Sequence, residues 1–557
     1  MPSAKSLGLI ALLVLGVTSI DAAAAPPILA NTTLNPWTLW GGNLANTRFA
    51  KKETILNTTN VANIRNTRRY NTTGDTSATP TISSDGTLYI PDFAGYLYAF
   101  DVNTAKIKWK TVVSTYVPGS NSVVGDPKFV TSRSSPALTS DQHTLVIGTL
   151  NTGNGGFAYL VAVNATNGKK LWSTQLHKHA AAVITQSPLI YGNSIFVGTS
   201  SSEEIVAADV VGYKCCTFQG TFLSINLLTG AIQWTFKTLD DNKGTTGGYS
   251  GGAIWGSTPV IDKVRKTVYV TTGNNYDIPD SVTACVKATN DPVKQIACYS
   301  KNNHIDSILS LDIATGALKW SQRLTAMDAY TNACSKSHPS NPQNCPELQG
   351  DDDDFSQGAM LVSICNTTLS QLPTTSCTTK TDILIGFQKN GFIGAYNPDN
   401  GAQLWYTNSV GSTQAGGATW GSATDGLRAY LSNSNTRSKN ITLTRPSPGS
   451  LTMTNGGFAA AIDLRDGHII WQTANPTKGK NGAPVTIANN VLYWPSQDSK
   501  GHLFALDAAT GKILNGNHFL GVQTNSGPAV VDGNIFLGSG YNKASTSGSF
   551  GVFAIGL

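Results

Sequence analysis

Beyond Val17 the 557-residue chain has no apolar stretch of membrane-spanning length, no long helical pattern and no Cys-x-x-Cys-His. The first absence excludes a helical membrane span, which needs about 20 consecutive apolar residues. The second leaves strands as the building material, and the third excludes a c-type haem attached to this chain. Positive charge is thin as well. Residues 1–25 carry one Lys and one Asp, so the formal net charge of +6 is unchanged without them. Spread over the rest of the chain, that charge is too dilute for a nucleic-acid-binding surface.

What the chain does have is one short pattern repeated along nearly its whole length. It consists of an aliphatic or aromatic pair, a small residue, Asp or Asn, a Gly-containing turn, and Trp eight residues after the Asp or Asn. Copies run from Asp101 to Trp109, Asn164 to Trp172, Asn226 to Trp234, Asp312 to Trp320, Asn397 to Trp405 and Asp463 to Trp471. A seventh copy starts at Asp507 and has Asn515 where Trp is expected. Each reads as strand, tight turn, strand, with Gly at most of the turns, where a positive φ is cheapest. The Trp offers a large ring that can dock between neighbouring sheets.

Units that cannot bury their own apolar faces must be stacked or arranged in a ring. An eighth small-residue strand at Ala554 is followed by neither turn nor Trp, so another strand must complete its sheet. The segment WTLWGGNLANTRFA, starting at Trp37, is the expected donor, because joining first and last strands closes a ring and removes an exposed edge. The expected fold is therefore all-β, an eight-bladed β-propeller occupying residues 26–557 as one domain.

Lys5, the apolar run from Leu7 to Val17 and the small residues Ala22 to Ala25 read as a secretory signal peptide over residues 1–25. The remaining chain would be secreted, or periplasmic in a bacterium. Eight cysteines fit an oxidising compartment. Proximity in sequence pairs Cys285 with Cys298, Cys334 with Cys345 and Cys365 with Cys377. The adjacent Cys215 and Cys216 then bond to each other, the alternative being that each pairs elsewhere. Asn31, Asn57, Asn71, Asn164, Asn366 and Asn440 open Asn-x-Ser/Thr sites that would take glycans in a eukaryotic source.

Repeat spacing is widest between Asn226 and Asn397, and long loops on a rigid ring usually carry function. Upstream of the vicinal cysteines stands VGTSSSEE, with Glu203 and Glu204 after a strand ending near Gly198. GGAIWGSTPV holds Trp255, VYVTTGNNY holds Asn274 and Asn275, and Asp351 to Asp354 form an acidic run. Taken singly, a Glu pair or an Asp run is more often a solvated loop than a ligand set.

Taken in order, these segments resemble the quinoprotein alcohol dehydrogenases, and most closely their polyvinyl-alcohol-dehydrogenase-like branch, from about Trp37 to the C-terminus. The resemblance implies an eight-bladed propeller holding pyrroloquinoline quinone in its central funnel, with one divalent cation, Ca2+, against it. It implies Thr185 on a cofactor carboxylate, Trp255 flat against the quinone and the Cys215–Cys216 ring on the opposite side. It assigns Glu203 and Asn274 to the metal, Asp354 of DDFSQGA to the general base, and Lys389 of FQKNG to the quinone oxygens. Asp352 is the alternative register for the base. Ser356 stands where lanthanide-using relatives carry another Asp, which favours calcium.

Such an enzyme would oxidise alcohols, secondary or polymeric ones included, and pass the electrons to a separate acceptor. A different reading is a non-catalytic propeller that binds or scaffolds other molecules, since the same repeat builds proteins without cofactor. A third, a glycoside hydrolase using paired carboxylates, could draw on Glu203, Glu204 and the Asp run, but nothing in the repeat supports it.

Overall fold

The computed structural model describes residues 33–151, 156–335, 341–365, 380–409, 417–541 and 550–557. The expected signal segment at residues 1–25, the sequon residues Asn31 and Asn366, and Cys377 lie outside the described residues. Eight four-stranded antiparallel sheets follow one another along the chain and form the eight blades of a β-propeller. The first contains Thr81–Ile82, Thr87–Pro91, Tyr96–Asp101 and Ile107–Val112. Helices are short: Glu203–Asp209, Asp280–Lys287 and Pro292–Ala297. Among the described residues no helix is long and apolar enough to cross a membrane.

The repeated pattern is a lock between blades. The small residue faces the Trp across its hairpin, as in Ala99 opposite Trp109, Ser224 opposite Trp234 and Ala461 opposite Trp471, and a β-bulge follows it each time. The Asp or Asn caps the turn: Asp101 Oδ1 accepts from the backbone N–H of Asn103 at 3.0 Å and Thr104 at 2.8 Å. The Trp then reaches into the following blade. Nε1 of Trp109 donates to Ala165 O at 2.8 Å, Trp172 to Leu227 O at 2.9 Å, and Trp405 to Leu464 O at 2.9 Å. The turn glycine of that following blade lies under the ring. A Cβ on Gly168 would stand 2.6 Å from Trp109, and one on Gly230 2.6 Å from Trp172. The glycine is thus required by φ and by the approach of the ring together.

The ring closes differently from the sequence-based expectation. The strand donated to the last sheet is Arg65–Asn71, which pairs with Gly551–Gly556 from Arg65 opposite Gly556 to Asn71 opposite Gly551. The Trp37 segment has another task. Its carbonyls accept from the inner strands of six of the eight blades: Trp37 from Ile82, Thr38 from Leu138, Leu44 from Ile261, Ala45 from Leu361, Thr47 from Thr424 and Arg48 from Ile487. It winds around the propeller axis, where irregular backbone is tolerated only with its polar groups paired. A strand pairs with one neighbour at the rim; this segment is rich in turns and serves six blades instead.

Arg48 pins the segment. It is fully buried and donates to the carbonyls of Val485 at 2.7 Å, Trp40 at 2.7 Å and Pro528 at 3.0 Å. Its guanidinium lies 4.4 Å from the Trp40 ring centroid. Burial lowers its pKa to about 9.

Candidate active site

Residues from the inner edges of most blades can converge only at the propeller axis, and two cavities lie there. One of about 50 Å³ is lined by Arg133, Thr185, Trp255, Trp420, Asn525 and Tyr541, among others. The other, about 350 Å³, shares Trp255, Trp420, Asn525 and Tyr541 and adds Ser356, Lys389 and Lys480. Trp255 and Trp420 meet edge to face at 5.3 Å.

Of the expected site residues, Thr185, Trp255 and Lys389 line these cavities, and Asp354 is bonded to two of them. Lys389 Nζ lies 2.6 Å from Asp354 Oδ1 and 2.7 Å from Asp352 Oδ1. Trp255 Nε1 donates to Asp354 Oδ2 at 2.7 Å, and Lys389 Nζ stands 4.8 Å from the centroid of the Trp255 ring. Gly273 makes room for this: a Cβ there would come within 2.8 Å of Asp354 Oδ2. Both carboxylates of the two possible base registers therefore meet one ammonium. Their charges, opposing the cost of burial, hold Lys389 well above the usual lysine pKa.

Asn274 is 3% exposed and donates through Nδ2 to the carbonyls of Asn275 at 2.8 Å and Tyr330 at 2.9 Å. With both amide hydrogens engaged, Oδ1 is left as an acceptor, the hard oxygen that a calcium-sized cation requires.

Glu203, the other expected metal ligand, is tied into the protein by several donors. Its carboxylate is completely buried and already surrounded by donors. Oε1 accepts from Tyr213 Oη at 2.8 Å and Thr217 N at 2.9 Å, Oε2 from Phe218 N at 2.8 Å, and His179 Nε2 lies 3.5 Å from Oε1. Three of the four lone-pair sites of the carboxylate thus serve protein donors, and the second lone pair of Oε2 remains. Glu204, the next residue on the same helix, feels the acidic group: burial raises its pKa to about 8, with Asp352 and Asp354 adding to the rise and Lys389 opposing it. Glu203 holds the Cys215–Cys216 turn from both sides, through residues 213, 217 and 218.

Cys215 and Cys216 are bonded to each other, as are Cys285 with Cys298 and Cys334 with Cys345. Cys365 is also disulfide-bonded; its expected partner, Cys377, lies outside the described residues. Cys215 and Trp255 both pack against one apolar cluster that includes Cys216 and Tyr276. The loop stapled by Cys334–Cys345 braces this region. Asn344 Nδ2 donates to the carbonyls of Ala207 at 2.9 Å and Tyr213 at 2.8 Å, and Asn341 Nδ2 to Val210 O at 2.7 Å.

The acidic side gathers more carboxyl groups than Lys389 can balance in ionised form. Burial, reinforced by neighbouring carboxylates, raises Asp328 to about 8; burial likewise raises Asp352 to about 7, where Lys389 opposes it. A divalent cation held by Glu204 and Asn274 would relieve that repulsion. On the other side, Thr185 Oγ1 is buried without a hydrogen-bond partner. No acceptor among the described residues engages the Arg133 guanidinium, which lies 5.2 Å from the Trp420 ring. An unpartnered hydroxyl and an unpaired guanidinium beside aromatic rings fit a flat ligand bearing carboxylates.

Arg133, Trp420 and Asp328 were not singled out from sequence, and Glu204 was noted there only as the neighbour of Glu203 and as a hydrolase carboxylate. One signal for the first was present: Ser77, Arg133, Thr185 and Asn525 each stand three residues before the proline that opens an inner strand, and all four line the smaller cavity.

Residues 37–332 match the family described as glucose/ethanol/alcohol dehydrogenase, β-propeller domain. Residues 389–546 match the one described as outer membrane protein assembly factor BamB. A polyvinylalcohol dehydrogenase of Sphingopyxis sp. (strain 113P3) is 27% identical over 574 residues, spanning 95% of this chain and 77% of that one. A polyvinylalcohol dehydrogenase of Pseudomonas sp is 25% identical, spanning 94% and 75%. The crystal structure of quinohemoprotein alcohol dehydrogenase from Comamonas testosteroni superimposes with a TM-score of 0.63 at 18% identity, covering 96% of this chain and 81% of that one, a likeness of fold.

Proposed function

The chain belongs to the glucose/ethanol/alcohol dehydrogenase β-propeller family, and from that premise we propose that it is a quinoprotein dehydrogenase that oxidises alcohols, secondary or polymeric ones included. The observation that carries the reading is the Asp354 carboxylate, held between Lys389 Nζ at 2.6 Å and Trp255 Nε1 at 2.7 Å beside the axial cavity. A scaffold has no need of a buried base, ammonium and indole in that arrangement.

Thr185, Arg133, Trp255, Lys389 and the Cys215–Cys216 turn would hold pyrroloquinoline quinone, and Glu204 with Asn274 would hold calcium. When bound, the quinone supplies the two-electron acceptor that no side chain here provides. Asp354 accepts the hydroxyl proton of the alcohol on a carboxylate oxygen. Trp255 and Lys389 orient that carboxylate, and Lys389 adds positive charge where negative charge develops. Asp352, on the same ammonium, keeps Lys389 protonated through the reaction.

Electrons would leave to a separate acceptor; the disulfides suit an oxidising compartment, which a signal peptide at residues 1–25 would open to the protein. The test is reconstitution. Apo-protein given pyrroloquinoline quinone and calcium should gain a quinone absorbance band and reduce a dye when an alcohol is added. Failure of calorimetry to detect binding at saturating cofactor and metal would leave the binding-scaffold reading in its place.

A further inference from the structure

Asp328 lies outside the ligand and base assignments above, yet it touches the backbone of the segment that carries the base. It is buried, and its carboxylate accepts two consecutive backbone N–H groups: Asp352 N to Oδ1 at 3.1 Å and Asp353 N to Oδ2 at 2.6 Å. Asp352 has φ 58°, a left-handed conformation that a non-glycine residue adopts only when its surroundings impose it. The bonds from its own N–H and from the next one to the Asp328 carboxyl supply that constraint.

The same residue reaches the other wall of the site through its backbone. Asn275 N donates to Asp328 O at 2.9 Å, Tyr330 N to Asn275 O at 2.9 Å, and Tyr330 O accepts Asn274 Nδ2 at 2.9 Å. Gly350 N donates to Ala329 O at 2.8 Å, which closes the acidic segment against residues 328–330. A Cβ on Gly350 would stand 2.0 Å from Asp328 Oδ1 and 2.6 Å from Asp328 Cα, so glycine is what allows the approach. Residues 328–330 form a strut with Asn274 on one side and the Asp352–Asp354 segment on the other.

We infer that Asp328 is a positioning residue for the alcohol oxidation: it fixes the register of residues 352–354, so that Asp352 and Asp354 both meet Lys389 while the amide of Asn274 faces the same space. The inference rests on the reading of Asp354 as the base. A residue that only stabilised the fold would act on melting temperature and on every kinetic parameter through the amount of folded protein. A residue that sets the register of the base acts on kcat with cofactor content unchanged.

The experiment compares Asp328→Asn, Gly350→Ala and the double variant with the parent holoenzyme. Asp328→Asn turns an acceptor into an amide N–H facing a backbone N–H; Gly350→Ala displaces the same carboxylate from the opposite side. Each single variant should keep the quinone band, lower kcat on the order of 10²-fold with little change in KM, and speed amide hydrogen exchange in the peptide spanning residues 350–355. The double variant should be no slower than the slower single one, because both changes break one contact. Parent kcat in both single variants, or a loss of kcat with exchange at 350–355 unchanged, overturns the inference. If the parent oxidises no alcohol while exchange at 350–355 still rises in the variants, the functional reading fails and the register role of Asp328 stands. Should Asp328→Asn fail to fold, Gly350→Ala alone decides between these outcomes.

Discussion

Gly511 sits directly under the indole of Trp471: a Cβ added to it would stand 2.4 Å from Cε3 of the ring. Trp471 is 2% exposed and its Nε1 donates to Ala508 O at 3.1 Å, within the same following blade. The other repeat Trp rings are half-buried, so this is where the lock is tightest. Trp471→Ala should cost about 3–5 kcal/mol. Gly511→Ala should destabilise as well, because φ is 72° and the methyl meets the ring. Denaturant unfolding measures both, and a Trp471→Ala loss below about 1 kcal/mol would show that the ring is not what joins these blades.

The seventh repeat shows why the periodic part of the fold was legible. Asn515 stands in the Trp position of a blade whose neighbour is completed by an N-terminal strand, and its Nδ2 donates to Val61 O at 3.1 Å, just before that strand. Sequence showed the substitution and the need for a donor; it did not show which segment came, because pairing across the whole chain leaves no local periodic mark. The segment holding Trp37, Trp40 and Arg48 is the expected strand for that reason, although its turn-rich sequence suits a segment that feeds six blades. In the site, Trp255, Asp354 and Lys389 stood in distinctive motifs. Glu203 and Glu204 differ by one position on a short helix, where adjacent residues point in different directions, and only the donors around Glu203 separate them. Asp328 acts through its bonds to backbone N–H groups, which leave no pattern in side-chain identity.

That separation gives a contrast. Glu204→Gln should weaken calcium binding on the order of 10-fold, measured by calorimetry, with the metal-free melting temperature unchanged or raised. Glu203→Gln should leave a donor facing the N–H groups of Thr217 or Phe218 and cost on the order of 1–3 kcal/mol of stability. A calcium affinity lowered only by the Glu203 change would bear out the expectation drawn from sequence.

Acidity supplies a third expectation. Glu204, Asp328 and Asp352 have folded pKa values raised to about 8, 8 and 7 by burial first, with neighbouring carboxylates adding to the rise and Lys389 opposing it at Glu204 and Asp352. Between the unfolded carboxyl pKa and these values the folded chain binds more protons than the unfolded one, so stability falls as pH rises. Burial lowers His177 and His304 to about 4 and His518 below 6.5, which contributes the opposite slope below about pH 6.5. The window from about pH 6.5 to 8 is therefore where metal-free protein should lose stability. Saturating calcium should flatten that decline and release protons on binding. Thermal melts across this range, with and without calcium, check it; a metal-free melting temperature that rises from pH 6.5 to 8 would contradict the cluster's charge balance.

Lys389 bridges both carboxylates that could serve as base, and the two registers predict different losses. With Asp354 as base, Asp354→Asn should retain cofactor and lose on the order of 10²–10⁴-fold in dye-linked alcohol oxidation, because an amide cannot take the hydroxyl proton. Asp352→Asn should lose less, since Lys389 keeps its contact with Asp354. Lys389→Ala removes the ammonium from two buried carboxylates at once, so it should lower turnover and also shift the pH profile of kcat, which Asp354→Asn abolishes instead of shifting. Full activity in Asp354→Asn with none in Asp352→Asn would move the base by two residues. Full activity in both would remove the carboxylate from the reaction altogether, whatever the affinity for quinone and metal.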